Sequence, residues 1–308
     1  MFLANLISKM KRDTPRGSRI ASVHNGSSLF TGDAGQGESN MRRWIIENDW
    51  LEAIVALPLK MFYNTGIATY VWVLTNRKEE RRKGKVQLID ATGWSTPLRK
   101  NLGEKGVEIS PTDANKVLEA FTAFDEYEDP DHSKVLDGIE FGYSKITVER
   151  PLRIRGVDPN KVYTAKEIKA LKEDGIRDES ASPIIKKALP HAAKPDPLHG
   201  RYESVIDGRT RVVEYEPDTE LRDTEQVPLT EAPGEYADGI EAFFRREVTP
   251  YAADAWIDES KTKIGYEISF TRHFYKPAPM RTLAEIQADI RALEVETEDL
   301  IAEIAGED

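Results

Sequence analysis

Residues 61–70 read MFYNTGIATY, with Phe62 and Tyr63 adjacent and followed by Asn64, Thr65 and Gly66. The stretch lies between two of the most apolar runs in the chain, EAIVALP (52–58) and YVWVLT (70–75). Asn-Thr-Gly is turn chemistry, so the aromatic pair sits in a connection. An aromatic there either covers a sheet edge or offers its face to a flat ligand, and the residues alone leave both open. The glycine run G-x-x-G-x-G at 32–37 invites a phosphate-loop reading, because glycines let backbone N–H groups approach an anion at a helix start. Its spacing fits neither the P-loop nor the dinucleotide fingerprint, and it reads as a flexible loop. The chain has no cysteine, and its five histidines (24, 132, 191, 199 and 273) lack ligand spacing, so no metal site is expected.

The elements that would carry these residues follow from periodicity. FLANLISKM spaces Phe2, Leu3, Leu6, Ile7 and Met10 as a helix, RIASVHNG (19–26) reads as a short strand, and MRRWIIEND (41–49) as a helix with Trp44, Ile45 and Met41 on its buried side. EAIVALP is a strand whose continuous apolarity predicts burial on both faces, and ATYVWVLTN and VQLIDA (86–91) complete the order β-α-β-turn-β-loop-β. Beyond residue 95 the pattern loosens. SPTDANKVLEAFTAF (110–124) reads as a capped helix, FGYSKITVERPLRI (141–154) as a strand, TAKEIKALKEDG (164–175) as a helix, and the four prolines of 182–200 as an irregular connection. GIEAFFRREVTPYAADAWI (239–257) contains a helix ending at Pro250, and 261–275 reads as strand-like. The clearest signal is 281–305. There Leu283, Ile286, Ile290, Leu293, Thr297, Leu300 and Ile304 fall at alternating three- and four-residue spacing behind a Thr282–Glu285 capping box. A seam of that length needs a cover, from the same domain or from a partner's helix.

Composition bounds the rest. The chain has 308 residues and a net charge of −11, yet residues 1–90 hold 14 Lys/Arg against 9 Asp/Glu, while the remainder holds 29 against 45. The whole chain is therefore not a non-specific nucleic-acid binder, and any phosphate-facing surface is favoured in the N-terminal third. No run approaches the roughly 18 apolar residues of a membrane span, and the N-terminus lacks signal-peptide features. No membrane association is expected, and the default compartment is the cytoplasm.

The phrases RIASVHNGSSLFTGDAGQGESNMRRWIIENDWLEAIVALP, MFYNTGIATYVWVLTN and RRKGKVQLIDA, and later FGYSKITVERPLR, LRDTEQVPL and AWIDESKTKIGYEISFTRHFY, closely resemble the modification (M) subunits of type I restriction-modification systems. Those are adenine-N6 DNA methyltransferases. The resemblance implies an α/β fold: the closing half of a class I (Rossmann-like) methyltransferase sheet over 1–95, then a mixed extension with a Pro-rich connection (96–200), a second extension (201–280) and a C-terminal helix of coiled-coil type (281–308). It implies a complete enzyme that uses S-adenosylmethionine, flips adenine out of double-stranded DNA, and assembles with a specificity subunit and a restriction subunit. In the family a glycine-rich S-adenosylmethionine motif and an Asn-Pro-Pro-Phe tetrad precede the helix that here begins at Phe2. This chain has no Pro-Pro pair.

The expectation is a C-terminal portion of the subunit with no catalytic residue of its own, no bound cofactor and no activity alone; the alternative is a non-catalytic scaffold for the specificity subunit. Phe62 matches the aromatic that stacks on the flipped base in related enzymes, with Tyr63 beside it and Asn64, Thr65 and Gly66 setting the turn. By the same resemblance Leu283, Ile286, Ile290, Leu293, Leu300 and Ile304 dock the specificity subunit's helical spacer.

Overall fold

A computed structural model describes residues 2–231, 236–277 and 280–305, and their side chains except those of 236–238, 295–296 and 298–305. In chain order the elements are α1 (Phe2–Ser8), β1 (Arg19–Asn25), α2 (Ser27–Phe30), α3 (Gly37–Glu47), β2 (Leu51–Ala56), β3 (Thr69–Thr75), β4 (Lys85–Asp90), β5 (Thr96–Leu102), β6 (Lys105–Glu108), α4 (Pro111–Ala123) and β7 (Ser133–Asp137). There follow β8 (Gly142–Glu149), α5 (Ala165–Asp174), β9 (Ile185–Ala188), β10 (Arg201–Ile206), β11 (Arg209–Tyr215), β12 (Asp223–Pro228), α6 (Tyr236–Glu247), β13 (Trp256–Ile257), β14 (Lys263–Tyr266), α7 (Phe270–Phe274) and α8 (Leu283–Ala305). Met1–Phe270 forms one compact unit and Thr271–Asp308 a second. Among the described residues no helix is long and apolar enough to cross a membrane.

The apolar run of β2 goes where continuous apolarity sends it, to the middle of a five-stranded mixed sheet of order β1-β3-β2-β4-β7. All six β2 residues are buried. β2 runs parallel to β4, and β3 lies antiparallel to both β2 and β1 (Ile54 opposite Trp72, Ser22 opposite Trp72). β1 occupies the sheet margin: among the described residues it pairs only with β3, and Val23 on it is half exposed. Over the carboxyl half of the sheet, α4 closes a core of Val55, Leu57, Ile89, Ala91, Trp94 and Ala120. That helix begins as its sequence dictates, with the Ser110 hydroxyl accepting from the Asp113 N–H at 3.1 Å and Pro111 in the first turn.

Beyond this sheet, β8 is the centre of a second one, flanked by β12 and by β13 and β14, over a core that includes Ile146, Val148, Phe244 and Ile257. α3 meets this second sheet at β14, where the Tyr266 N–H donates to Ser39 Oγ at 3.0 Å and Arg42 Nε donates to the Tyr266 carbonyl at 2.6 Å.

Four sequence expectations change. The 182–200 connection contains β9, the outer strand of a three-stranded sheet with β11 and β10, because Ile184 and Ile185 are buried despite the surrounding prolines. Only the first part of 261–275 is strand; Phe270–Phe274 is helical. α6 stops at Glu247, short of Pro250. On α3 the buried residues are Ser39, Arg42, Ile45 and Ile46, whereas Trp44 stands 39% exposed in edge-to-face contact with Trp50.

Candidate functional site

Because β2 and β4 are parallel and β1 shares their direction, three strands end on one margin, at Asn25, Ala56 and Asp90. In open α/β sheets ligands bind outside such carboxyl ends. Backbone hydrogen bonds hold the margin together: the Gly26 N–H donates to the Ala68 carbonyl at 3.2 Å, Leu57 to Thr69 at 2.9 Å and Ala91 to Ala56 at 3.0 Å. The aromatic turn projects from here, since 57–68 leaves β2 and returns as β3.

Its conformation is set from outside. The β5–β6 hairpin clamps it through donation from the Gly106 N–H to the Lys60 carbonyl (2.9 Å) and from the Glu104 N–H to the Tyr63 carbonyl (3.0 Å). At Gly103, φ is +63° and a Cβ would lie 2.6 Å from the Tyr63 carbonyl oxygen, so only glycine allows this approach. Within the turn, Phe62 and Thr65 form an isolated bridge, and Thr65 Oγ1 accepts from the Ile67 N–H at 3.3 Å.

The two aromatics part company. Phe62 is half-buried against the Val55–Leu57–Ile89–Trp94 core. Tyr63 is 63% exposed, with Lys105 Nζ 5.3 Å from its ring centroid. Asn64 is exposed, and Thr65 and Gly66 are half-buried. Near them Lys60 on the turn and Arg99 and Lys100 on β5 are exposed, as is Glu104, whose carboxylate lies 3.6 Å from a Cβ placed at Gly66, so cations outnumber the one carboxylate there. At its floor the Asp90 carboxylate accepts from Thr92 Oγ1 at 2.6 Å, and Trp94 stacks on His132 at 4.6 Å. Burial, and secondarily the Asp90 carboxylate, push the Tyr70 phenol above its usual range, which keeps it a neutral hydroxyl.

The hairpin was not visible as strands in the sequence. Its signal, in retrospect, is the Asn101-Leu102-Gly103-Glu104 turn between two short segments.

The other sequence candidates lie elsewhere. In the glycine run, the Asp33 carboxylate takes Lys145 Nζ on both oxygens at 2.8 Å, a hydrogen bond that holds this carboxyl below its ordinary range, and the Lys263 side chain lies against Gly35. Among the described residues no three His, Cys, Asp or Glu side chains are arranged to hold a metal ion. On α8, Leu283, Ile286, Ile290 and Leu293 are 40 to 71% exposed, and the Thr282–Glu285 capping box is formed. The side chains of Leu300 and Ile304 lie outside the described residues.

Residues 1–151 match the N-6 DNA Methylase family. The type I restriction enzyme MjaIX methylase subunit of Methanocaldococcus jannaschii is 28% identical over 180 residues, 56% of this chain and 29% of that protein. The HindI methylase subunit of Haemophilus influenzae is 39% identical over 79 residues, 25% of this chain and 16% of that one. Among solved structures, a type I restriction-modification system methyltransferase subunit from Streptococcus thermophilus covers 46% of this chain and 26% of its own, at 23% identity and a TM-score of 0.38. The matches span less than a third of the length of these curated relatives. Residues 1–151, just under half of the chain, are thus similar to the N-6 DNA Methylase family and to the methylase subunits of type I restriction enzymes.

Proposed function

We propose that this chain is the base-holding and partner-docking portion of a type I modification methyltransferase, whose complete form transfers a methyl group from S-adenosylmethionine to adenine N6 in double-stranded DNA. The observation that carries the reading is the clamped aromatic turn at the carboxyl margin, with its rim of Lys60, Arg99, Lys100 and Lys105. An extruded base has a π-face for Phe62 or Tyr63 to cover, and the cations suit the flanking phosphates. Asn64, Thr65 and Gly66 shape the turn that presents the rings. The 1–95 portion is the closing half of a class I methyltransferase sheet.

In this reading the chain binds no S-adenosylmethionine by itself. In the glycine run the Asp33 carboxylate holds Lys145 and the Lys263 side chain lies against Gly35, which supports the reading that the chain supplies the base side of the reaction and the methyl donor site lies in another part of the complete subunit. Calorimetry on the chain alone is expected to show no heat of S-adenosylmethionine binding above dilution. A complete subunit carrying these 308 residues behind a family cofactor-binding part is expected to methylate adenine in an unmethylated duplex. Micromolar binding by the chain alone, or a complete subunit without methylation, overturns the reading.

α8 supplies the docking half of the proposal. Its exposed Leu283, Ile286, Ile290 and Leu293 form a seam that suits a helix of the specificity subunit, with Leu300 and Ile304 extending it, and the restriction subunit joins the same cytoplasmic assembly. Replacing both Ile290 and Leu293 with Asp puts two charges in that seam, and burying an unpaired charge is costly enough to abolish a moderate interface. The variant is expected to keep its circular dichroism and melting temperature while failing to co-purify with the specificity subunit. Surviving co-purification removes the docking role.

A further inference from the structure

Away from the aromatic turn, α1 and α3 wall a groove of about 440 Å³ whose floor is His24 of β1 and Trp72 of β3. The walls are apolar: Phe2, Leu3, Met41 and Ile45. Three nitrogens among the lining residues are buried without a hydrogen-bond partner: His24 Nε2, Arg42 Nη2 and Trp72 Nε1. Arg42 and Trp72 are each 2% exposed.

The Arg42 guanidinium is fixed in place by two backbone carbonyls, Nε to Tyr266 at 2.6 Å and Nη1 to Ser28 at 3.1 Å. No carboxylate pairs with it among the described residues; Glu38 borders the groove one turn earlier on α3 and is exposed. Carbonyls do not neutralise this charge, which the Glu267 and Glu38 carboxylates offset without contacting it, and a buried cation without a paired counter-ion is costly. Each unmet N–H adds about 1–3 kcal/mol more. Burial also lowers the His24 pKa, so its imidazole is neutral and adds no second charge. The groove thus holds unmet N–H donors and a cation that no carboxylate contacts among the described residues, inside walls that favour hydrocarbon.

We propose that the groove between α1 and α3 is a binding site for a small apolar carboxylate, its body against Phe2, Leu3, Met41 and Ile45 and its carboxylate accepting from Arg42 Nη2 and Trp72 Nε1. A planar, two-oxygen anion can accept from a guanidinium N–H and an indole N–H that line one groove. The volume lies in the range of pockets that enclose drug-sized ligands, with few polar groups in a mostly apolar wall. The site is separate from the aromatic turn and does not depend on the methyltransferase reading.

The probes are 4-phenylbutyrate and 4-phenylbutanol, which share a body and differ in the head group. Titration calorimetry on the whole chain is expected to show the acid binding at least about tenfold more tightly than the alcohol, the value of one lost charge-assisted hydrogen bond. In nitrogen-15 correlation spectra the Trp72 indole N–H signal, assigned by its absence from Trp72→Phe, is expected to shift with the acid. Trp72→Phe keeps the ring bulk and should weaken the acid about tenfold while leaving the alcohol unchanged. Equal binding of acid and alcohol, or no shift of the Trp72 signal, overturns the assignment. So does failure of both probes to bind, which would leave the groove to a polypeptide segment. The acid–alcohol comparison needs only the unaltered chain and stands even if Trp72→Phe fails to fold.

Discussion

Replacing Arg82 with alanine is expected to cost about 3–5 kcal/mol of stability, the range for stranding one member of a buried ion pair. Glu52 sits in the central strand β2 and is 1% exposed. It takes Arg19 Nε and Nη2 at 3.0 Å each from the strand margin and has Arg82 Nε at 3.8 Å from the connection before β4. Arg82 is itself buried, stacked on the Phe121 and Phe124 rings at 4.4 and 4.2 Å, and donates to Gln87 Oε1 at 3.2 Å and to the Phe121 carbonyl. Truncation removes a cation, two hydrogen bonds and the filling between two aromatics, and leaves the half-exposed Arg19 as the one ion pair of Glu52 among the described residues. Arg82→Met keeps much of the volume, so its difference from Arg82→Ala separates packing from charge. Urea unfolding of the three proteins measures both. A loss below about 1 kcal/mol would place this ion pair with the weak surface ones, Arg19 alone being enough for Glu52.

In a complete enzyme, Phe62→Ala is expected to lower methylation by about 5- to 150-fold, because base–aromatic stacking is worth about 1–3 kcal/mol. Duplex affinity should change little, since phosphate contacts dominate it and stacking acts only on the extruded base. Tyr63→Ala is the informative companion. Phe62 packs on the Val55–Ile89–Trp94 core, so its removal also leaves a void in the isolated chain and lowers the melting temperature. Tyr63 is 63% exposed and its removal opens no void. A loss of turnover without a loss of stability in Tyr63→Ala would move the stacking role one residue along. Unchanged turnover in both would leave the turn as a sheet cover.

Much of this architecture is legible in local pattern. β2 is readable because an apolar run needs burial on both faces, and α4 and α5 because Ser110 and Thr164 cap them. What local pattern does not carry is pairing between distant segments. The insertion of β3 between β1 and β2 depends on a contact across about fifty residues, and nothing in RIASVHN indicates which strand it meets. β9 is hidden because its four residues sit among prolines and its burial comes from distant partners, Val213 and Tyr215 of β11 and Ile206 of β10. Glu52 interrupts an apolar run, and its tolerance there comes from two arginines some thirty residues away on either side. At the candidate site the residue types announce an aromatic turn. Which ring faces the core is decided by the β5–β6 hairpin, a polar and largely exposed segment held by backbone bonds that no side-chain pattern encodes.

The marginal position of β1 bears on how the chain behaves in a tube rather than how it folds. Seven residues of extended backbone carry a row of N–H and C=O groups facing away from β3, and the strand holds no proline, lysine or bulge of the kind that keeps such rows apart. Its one arginine, Arg19, is engaged by Glu52. Two molecules can therefore join β1 to β1 and run their sheets together, through backbone bonds that salt does not screen. Such pairing rises with protein concentration and does not depend on how well the core is packed, so a chain that melts at a high temperature can still associate when concentrated.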